Sequence, residues 1–333
     1  MRSITIKDIA KELGISVSTV SRALKDHPEI SQQTKEQVRA CALRLHYKPN
    51  IMASNLRTSK NTTIGVILPE LNHHFFASVL DGIEQAANEA GYNIIICQTS
   101  ESLEKEVQAV HTLISSRVAG ILIGISKQTN NLQHLQEVIN MGIPLVLYDR
   151  PCPSVPCDQV VSDDYMGAFK AVEYLIQTGC RRIMYLSSAM QLEVAHRRYQ
   201  GWRDALQRYG IPMDSSMILT CDTRAQAIID TPSMLSREDR PDAVFCVNDD
   251  CASGVLYAAQ ILGCKIPDEL SICGFSDAPL CRNTSPMLTT VEQHGGEIGR
   301  RAMMRLLNRL DGDAHTPHTE MVATDLIVRE TTK

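Results

Sequence analysis

Apolar positions at the start of the chain recur at helical spacing. Ile6, Ile9, Ala10 and Leu13 fall on one stripe, with Thr5 placed to cap that helix and Asp8 in its first turn. Gly14 then stops it, because glycine alone enters the left-handed region cheaply. Ser16 is expected to cap a second short helix, Val17 to Leu24, with Val20 and Leu24 facing inward. After His27-Pro28-Glu29-Ile30, Ser31 opens a third helix to about His46, and Val38, Ala42 and Leu45 close the core. Helix, glycine turn, helix is the arrangement that lays a second helix in the DNA major groove.

From residue 61 onward the period changes. Ile64–Leu68, Asn93–Cys97, Ala119–Ile123 and Leu145–Tyr148 read as buried strands, separated by helices over Phe75–Ala90, Glu104–Ser115 and Leu132–Met141. The rhythm resumes from Tyr165, with strands near Arg182–Leu186, Ala243–Val247 and Ile272–Phe275. Repeated βα units imply parallel sheets covered on both faces, and so long a stretch of them suggests two Rossmann-like lobes. Ligands of such sheets sit beyond the carboxyl ends of the strands, so loops that follow strands are where candidates lie.

Composition narrows the classes. With 44% hydrophobic and 21% charged residues among 333, the chain reads as an ordinary soluble globular protein of two or three domains. No apolar run is long enough to span a bilayer, and Met1-Arg2-Ser3-Ile4 begins no signal peptide, so no membrane role and a cytoplasmic location are expected. Eleven scattered cysteines contain no Cys-x-x-Cys pair, and neither a metal nor a cofactor is expected. The net charge of −5 hides an asymmetry: residues 1 to 60 carry eleven Lys/Arg against five Asp/Glu, the remainder 22 against 33. A basic head on an acidic body suggests nucleic acid at one end.

The words around the glycine turn are more specific. Gly14-Ile15-Ser16, Thr19-Val20-Ser21-Arg22, Tyr47-x-Pro49-Asn50 and Ala53-x-x-Leu56 occur in order, and together the segment Thr5 to Arg57 resembles the head of the lactose-repressor (LacI/GalR) family of transcriptional regulators. The resemblance continues through the body to Val328-Arg329-Glu330. It implies a helix-turn-helix DNA-binding domain over 1–48, a hinge over 49–60, and an effector-binding and dimerisation domain over 61–333. That body is a periplasmic-binding-protein-like (type I) α/β pair of lobes, lobe 1 about 61–161 plus 293–323 and lobe 2 about 162–292 plus 324–333. The resemblance further implies that Val17, Ser18 and Arg22 read base edges, an arginine gripping guanine O6 and N7 and a valine meeting a thymine methyl. Ser16, Thr19, Ser21, Tyr47 and Asn50 are placed to hold phosphates. Ala53 and Leu56 belong to a hinge helix entering the minor groove, Leu56 as the wedge that unstacks a base step.

For the cleft, the same resemblance and the strand-end rule point to Asn72, Phe75, Phe76, Asp149, Asp163, Tyr165, Arg198, Asn248, Asp250 and Ser276. Arginine and carboxylates clamp neighbouring hydroxyls while aromatics cover a ring face, so a carbohydrate or derivative is the expected effector. Ser276 stands where sugar-binding relatives often carry an aspartate, and no aromatic occurs in Thr220-Cys221-Asp222-Thr223. Trp202 is expected in the core and His73-His74 in an exposed loop. The chain ends at Lys333 without a trailing heptad segment, which favours a homodimer on a pseudo-palindromic operator. The expected function is a repressor whose operator affinity follows a small molecule, with a protein trigger, corepression or activation as the alternative. An enzyme is not expected: there is no Gly-x-Gly-x-x-Gly after the first strand, no Walker sequence and no Gly-x-Ser-x-Gly. A transport binding protein would need an export signal and no basic head.

Overall fold

The computed structural model describes residues 4–47, 61–188 and 192–333. Asn50, Ala53 and Leu56, and with them the expected hinge helix, lie outside these described residues. The chain divides into two compact units, 1–61 and 62–333.

In the first unit, α1 spans Ile6–Leu13, α2 Val17–Leu24 and α3 Gln32–Arg44. The Asp8 carboxylate accepts from the Thr5 backbone N–H at 2.8 Å and from Thr5 Oγ1 at 2.7 Å, closing the first turn. Gly14 takes φ 63° at the end of α1, a conformation open to glycine at little cost. Ser16 Oγ accepts from the Thr19 N–H at 3.0 Å and starts α2, and Ser31 does the same for α3 through Thr34. Ile9, Val20, Ala23 and Val38 are wholly buried and hold the three helices together. Leu24, expected to face inward, is only half-buried and packs against the head core, whereas Ala23 is fully buried.

The second unit contains two parallel sheets. The first has the order β11-β5-β4-β3-β1-β2, built from β1 (Thr63–Leu68), β2 (Asn93–Gln98), β3 (Gly120–Ile123), β4 (Leu145–Tyr148), β5 (Asp158–Ser162) and β11 (Thr319–Val322). Helices α4 (His74–Glu89), α5 (Leu103–Ser115), α6 (Gln133–Asn140) and α12 (Gly295–Leu310) flank it. The second sheet runs β7-β6-β8-β9, that is Ile218–Thr220, Ile183–Ser187, Ala243–Cys246 and Ser271–Cys273. It is covered by α7 (Asp164–Gln177), α8 (Glu193–Arg208), α9 (Arg224–Leu235) and α10 (Asp249–Ile261). A short helix α11 (Leu280–Asn283) follows β9. Every pair within these two sheets is parallel, whereas β10 (Thr290–Glu292) and β12 (Asp325–Ile327) form a separate antiparallel pair. The chain therefore passes between the lobes three times: after β5, after β10 and between β11 and β12. Strands β5, β7, β10, β11 and β12 had no expected counterpart, and three of them are only three residues long, too short to show a period.

One close approach sets the position of the cleft arginine. A Cβ on Gly201 would lie 2.4 Å from the Tyr165 carbonyl oxygen and 2.8 Å from Ala168 Cβ, so α8 packs backbone-to-backbone on α7 where only glycine fits. Trp202, next to it, is fully buried and donates Nε1–H to the Ile183 carbonyl at 3.1 Å, as expected for a core indole.

The all-or-none dependence of the head on so few side chains gives a test. Ile9→Ala is expected to cost the head about 2–5 kcal/mol and to unfold it well below the body. Calorimetry on the full chain should show the body transition unmoved; a common downward shift of both would mean the two units do not melt separately.

Candidate DNA-reading face and interlobe cleft

On the head, Val17, Ser18 and Arg22 are all exposed along α2, while Val20 and Ala23 on the opposite side are buried. Val17 is 39% exposed and is thus available to an apolar partner. Ser16 is engaged as a cap and also hydrogen-bonds Ser18 Oγ at 2.7 Å and Thr19 Oγ1 at 2.8 Å; capping and a phosphate contact are compatible for one hydroxyl. Ser21 and Tyr47 are half-buried, and the Tyr47 N–H donates to the Ala42 carbonyl at 2.8 Å. Arg22 Nη1 donates to Glu29 Oε2 at 2.9 Å.

In the body, a cavity of about 170 Å3 lies between the lobes and shares Glu70, His73, Asp250 and Ser276 as walls with a second space of about 250 Å3. Phe75, Phe76, Asp149, Arg198, Asn248, Asp250 and Ser276 all line the first cavity, so seven of the ten candidates come together there. Asn72 borders only the second space. Asp163 and Tyr165 line neither cavity. Asp163 caps α7 through its carboxylate on the Met166 N–H at 3.1 Å, and the Tyr165 hydroxyl donates to Asp204 on α8 at 3.3 Å. The crossover turns the next residue inward instead. Asp164 meets Arg198, whose Nε donates to Asp164 Oδ1 at 2.7 Å and whose Nη1 donates to the Val247 carbonyl at 2.5 Å. The guanidinium stacks on Phe275, 3.8 Å from the ring centre.

From Asp164 a chain of hydrogen bonds continues. Ser162 Oγ donates to Asp164 Oδ2 at 3.2 Å, Gln293 Nε2 donates to Ser162 Oγ at 3.0 Å, and Ser276 Oγ donates to Gln293 Oε1 at 2.7 Å. These four residues are buried, as is Arg198. Ser276 therefore has its hydrogen engaged with Gln293. Asn248 is similarly engaged: its oxygen accepts from the Cys251 N–H at 2.7 Å and its amide donates to the Asp222 carbonyl at 2.8 Å.

Several cleft residues went unread in the sequence. Arg150 forms a two-pronged pair with Glu101, both contacts 2.8 Å, and also reaches the Ile125 carbonyl at 2.7 Å. Burial pushes the Glu101 carboxyl up, but the hydrogen bonds and charge of Arg150 outweigh it and leave the group below its ordinary range. Lys127 Nζ reaches Asp222 Oδ2 at 2.8 Å, an ion pair that joins lobe 1 to lobe 2 across the cleft mouth. The loop carrying Lys127 is pinned by buried Glu106, which bonds the Ser126 N–H at 2.5 Å, Thr129 Oγ1 at 2.9 Å and His134 Nε2 at 2.8 Å. Glu101 and Lys127 follow β2 and β3, and the rule that found Asp149 after β4 would have found them too.

The His73-His74 pair is a correction. Both rings border the cleft spaces and are half-buried. His73 Nδ1 is buried without a partner among the described residues, and burial, reinforced by the charge of Arg150, lowers its pKa to about 4. A loop that folds over a cavity carries its rings inward. Phe75 and Phe76 serve two ends, lining the cavity while packing edge-to-face, 5.4 Å apart, in the lobe 1 core.

Asp149 is the other unsettled group. It sits at φ 65° and is 5% exposed. Its nearest cation is Arg150 Nε at 3.6 Å, and that Nε is itself without a hydrogen-bond partner among the described residues. Burial pushes the Asp149 carboxyl up to about 7. A carboxyl raised on folding supports the fold while protonated, and that support is lost as pH climbs from the ordinary carboxylate range through about 7. Asp149→Asn removes the charge without changing the shape. Its melting temperature is expected to exceed the wild type's by a small margin at pH 5, where only part of that support is lost, and by a wider one at pH 8; a gap equal at both pH values would contradict the assignment.

The head and cleft have close counterparts. Residues 5–50 match the family model described as bacterial regulatory proteins, lacI family, and residues 172–332 match a periplasmic binding protein-like domain. The HTH-type transcriptional repressor PurR of Vibrio vulnificus (strain CMCP6) is 32% identical over 99% of this chain and 98% of its own length. A lac repressor dimer bound to operator and an anti-inducer superposes with a TM-score of 0.88 at 26% identity, over 99% of both chains. A transcriptional regulator CelR in complex with cellobiose superposes at 0.75 and 25% identity, over 98% of this chain and 99% of its own. A glycine-turned helix pair ahead of two parallel-sheet lobes, together with this likeness along the whole length, makes the chain a member of the lacI family of bacterial regulatory proteins, DNA-binding regulators of transcription and not enzymes.

Proposed function

We propose that this regulator acts in the cytoplasm as a repressor, binding a pseudo-palindromic operator as a homodimer whose affinity is set by a carbohydrate or derivative in the interlobe cleft. The observation that carries the reading is the charge arrangement of the cleft. Lys127, Arg150 and Arg198 each already face a carboxylate, whereas among the described residues Asp149 has no hydrogen-bonded cation and the Asp250 carboxylate accepts from the Arg224 backbone N–H and pairs with no cation. Such a wall favours a ligand rich in hydrogen-bond donors, and a polyol is one; an anion would have to displace a carboxylate from an arginine. Phe75 and Phe76 supply apolar cover. The cellobiose in the CelR complex is a ligand of this chemistry.

On the head, Val17, Ser18 and Arg22 are proposed as base readers, Ser16, Thr19, Ser21, Tyr47 and Asn50 as phosphate contacts, and Ala53 and Leu56 as the minor-groove segment. Two heads follow from the symmetry of half-sites. Ile229 on α9 and Ile261 on α10 are 72% and 67% exposed, and Tyr257 and Leu262 are exposed as well, apolar side chains that a second copy would cover. A cleft ligand that reorients the lobes would then change how the hinge proposed over 49–60 meets the DNA.

The test is fluorescence anisotropy of the full chain on DNA from its own upstream region at two salt concentrations, with sedimentation of the complex. The expected result is two chains per duplex and nanomolar-range affinity that falls steeply with salt and is lost on scrambled sequence. Equal binding to scrambled DNA, or one chain per duplex, would defeat the reading.

A further inference from the structure

We propose that Glu29 is a specificity-determining residue of the head, its carboxylate holding Arg22 in the orientation in which the guanidinium reads a guanine. The inference rests on Arg22 serving as the base reader proposed above. Glu29 lies in the loop between α2 and α3, and its Oε2 accepts from Arg22 Nη1 at 2.9 Å. That loop is fixed on several sides. The His27 N–H donates to the Arg22 carbonyl at 3.0 Å and the Ile30 N–H to the His27 carbonyl at 3.2 Å. Asp26 is paired with Lys35 at 3.2 Å and Arg39 at 3.0 Å on α3, and Ile30 packs on the head core. The carboxylate is thus presented from an anchored backbone.

A guanidinium has five N–H donors in a rigid plane. One given to Glu29 leaves four, and a guanine edge needs two, for O6 and N7. An unguided arginine 57% exposed at its side chain samples many rotamers, in some of which it meets a phosphate instead. Fixing its plane favours the in-plane base contact, the only one that distinguishes guanine. In water an exposed pair such as this is weak; it strengthens once the interface closes and water leaves. A carboxylate on the reading face of a basic head also lowers affinity for any DNA phosphate. Both effects act in one direction: less binding overall, more selective binding.

Binding-site selection from a random duplex library with the wild-type full chain defines the operator, and Arg22→Ala identifies the base pair whose preference it loses. Affinities are then measured by anisotropy on the operator and on the same duplex with that guanine replaced by adenine. Glu29→Ala is expected to shrink the guanine preference at that pair at least about fivefold, within the span a single bidentate contact provides. Other positions should be left alone, and binding to scrambled DNA should tighten. Glu29→Gln, which keeps an acceptor oxygen, should recover part of the preference. In an Arg22→Ala background, Glu29→Ala should change nothing at that pair. The proposal is overturned if Glu29→Ala tightens all sequences by one factor with discrimination intact, since Glu29 is then only a repulsive charge. It is overturned equally if the two substitutions act independently. A wild-type chain that selects no sequence would strike at the operator reading itself, and the proposal would go with it.

Discussion

The body is organised by the need to satisfy one buried cation. Arg198 is withdrawn from water and stacked on Phe275, and a guanidinium in such a place is tolerable only with a carboxylate and further acceptors at hand. Asp164 and the Val247 carbonyl provide them. Asp164 in turn needs its second oxygen met, Ser162 meets it, and Gln293 and Ser276 complete the series. Ser162 ends β5 and Gln293 follows β10, so both sit where the chain passes between lobes. A group on the cleft wall is therefore joined to two of the three crossing segments through a fully bonded polar network. Networks of that kind are stiff when complete and costly when one member is lost, which is a physical route by which cleft contents bear on lobe geometry.

A second tie works differently. Lys127–Asp222 crosses the mouth and is partly exposed, 34% and 22% at the side chains. It is screened by solvent and easily broken, a weaker tie between the lobes than the buried network.

Much of this was legible before the fold was known. The glycine turn, the capping hydroxyls and the period-to-period switch near residue 61 all rest on local chemistry, and the structure follows them closely from Thr5 to Arg44 and through β1 to β4. The family resemblance pointed to Arg198 on α8, and the strand-end rule pointed to Asp149, Asn248 and Asp250. It failed by one residue at the first crossover, where Asp163 and Tyr165 face away and Asp164 faces in, because side-chain direction at a helix start depends on its cap. It could not foresee that Ser276 and Asn248 would be occupied by Gln293 and Asp222, since those partners are 17 and 26 residues distant in sequence. Charge pairing across such separations is a property of the packed chain, and Arg150–Glu101, 49 residues apart, is of the same kind.

What distinguishes a regulator from a binding module that happens to carry a DNA-reading head is coupling between the two. The direct measurement is the operator dissociation constant of the full chain with and without a carbohydrate that raises its melting temperature. The account predicts a change of roughly 5- to 150-fold, the span of about 1–3 kcal/mol of coupling. A ligand that stabilises the body and leaves operator affinity unchanged would contradict it.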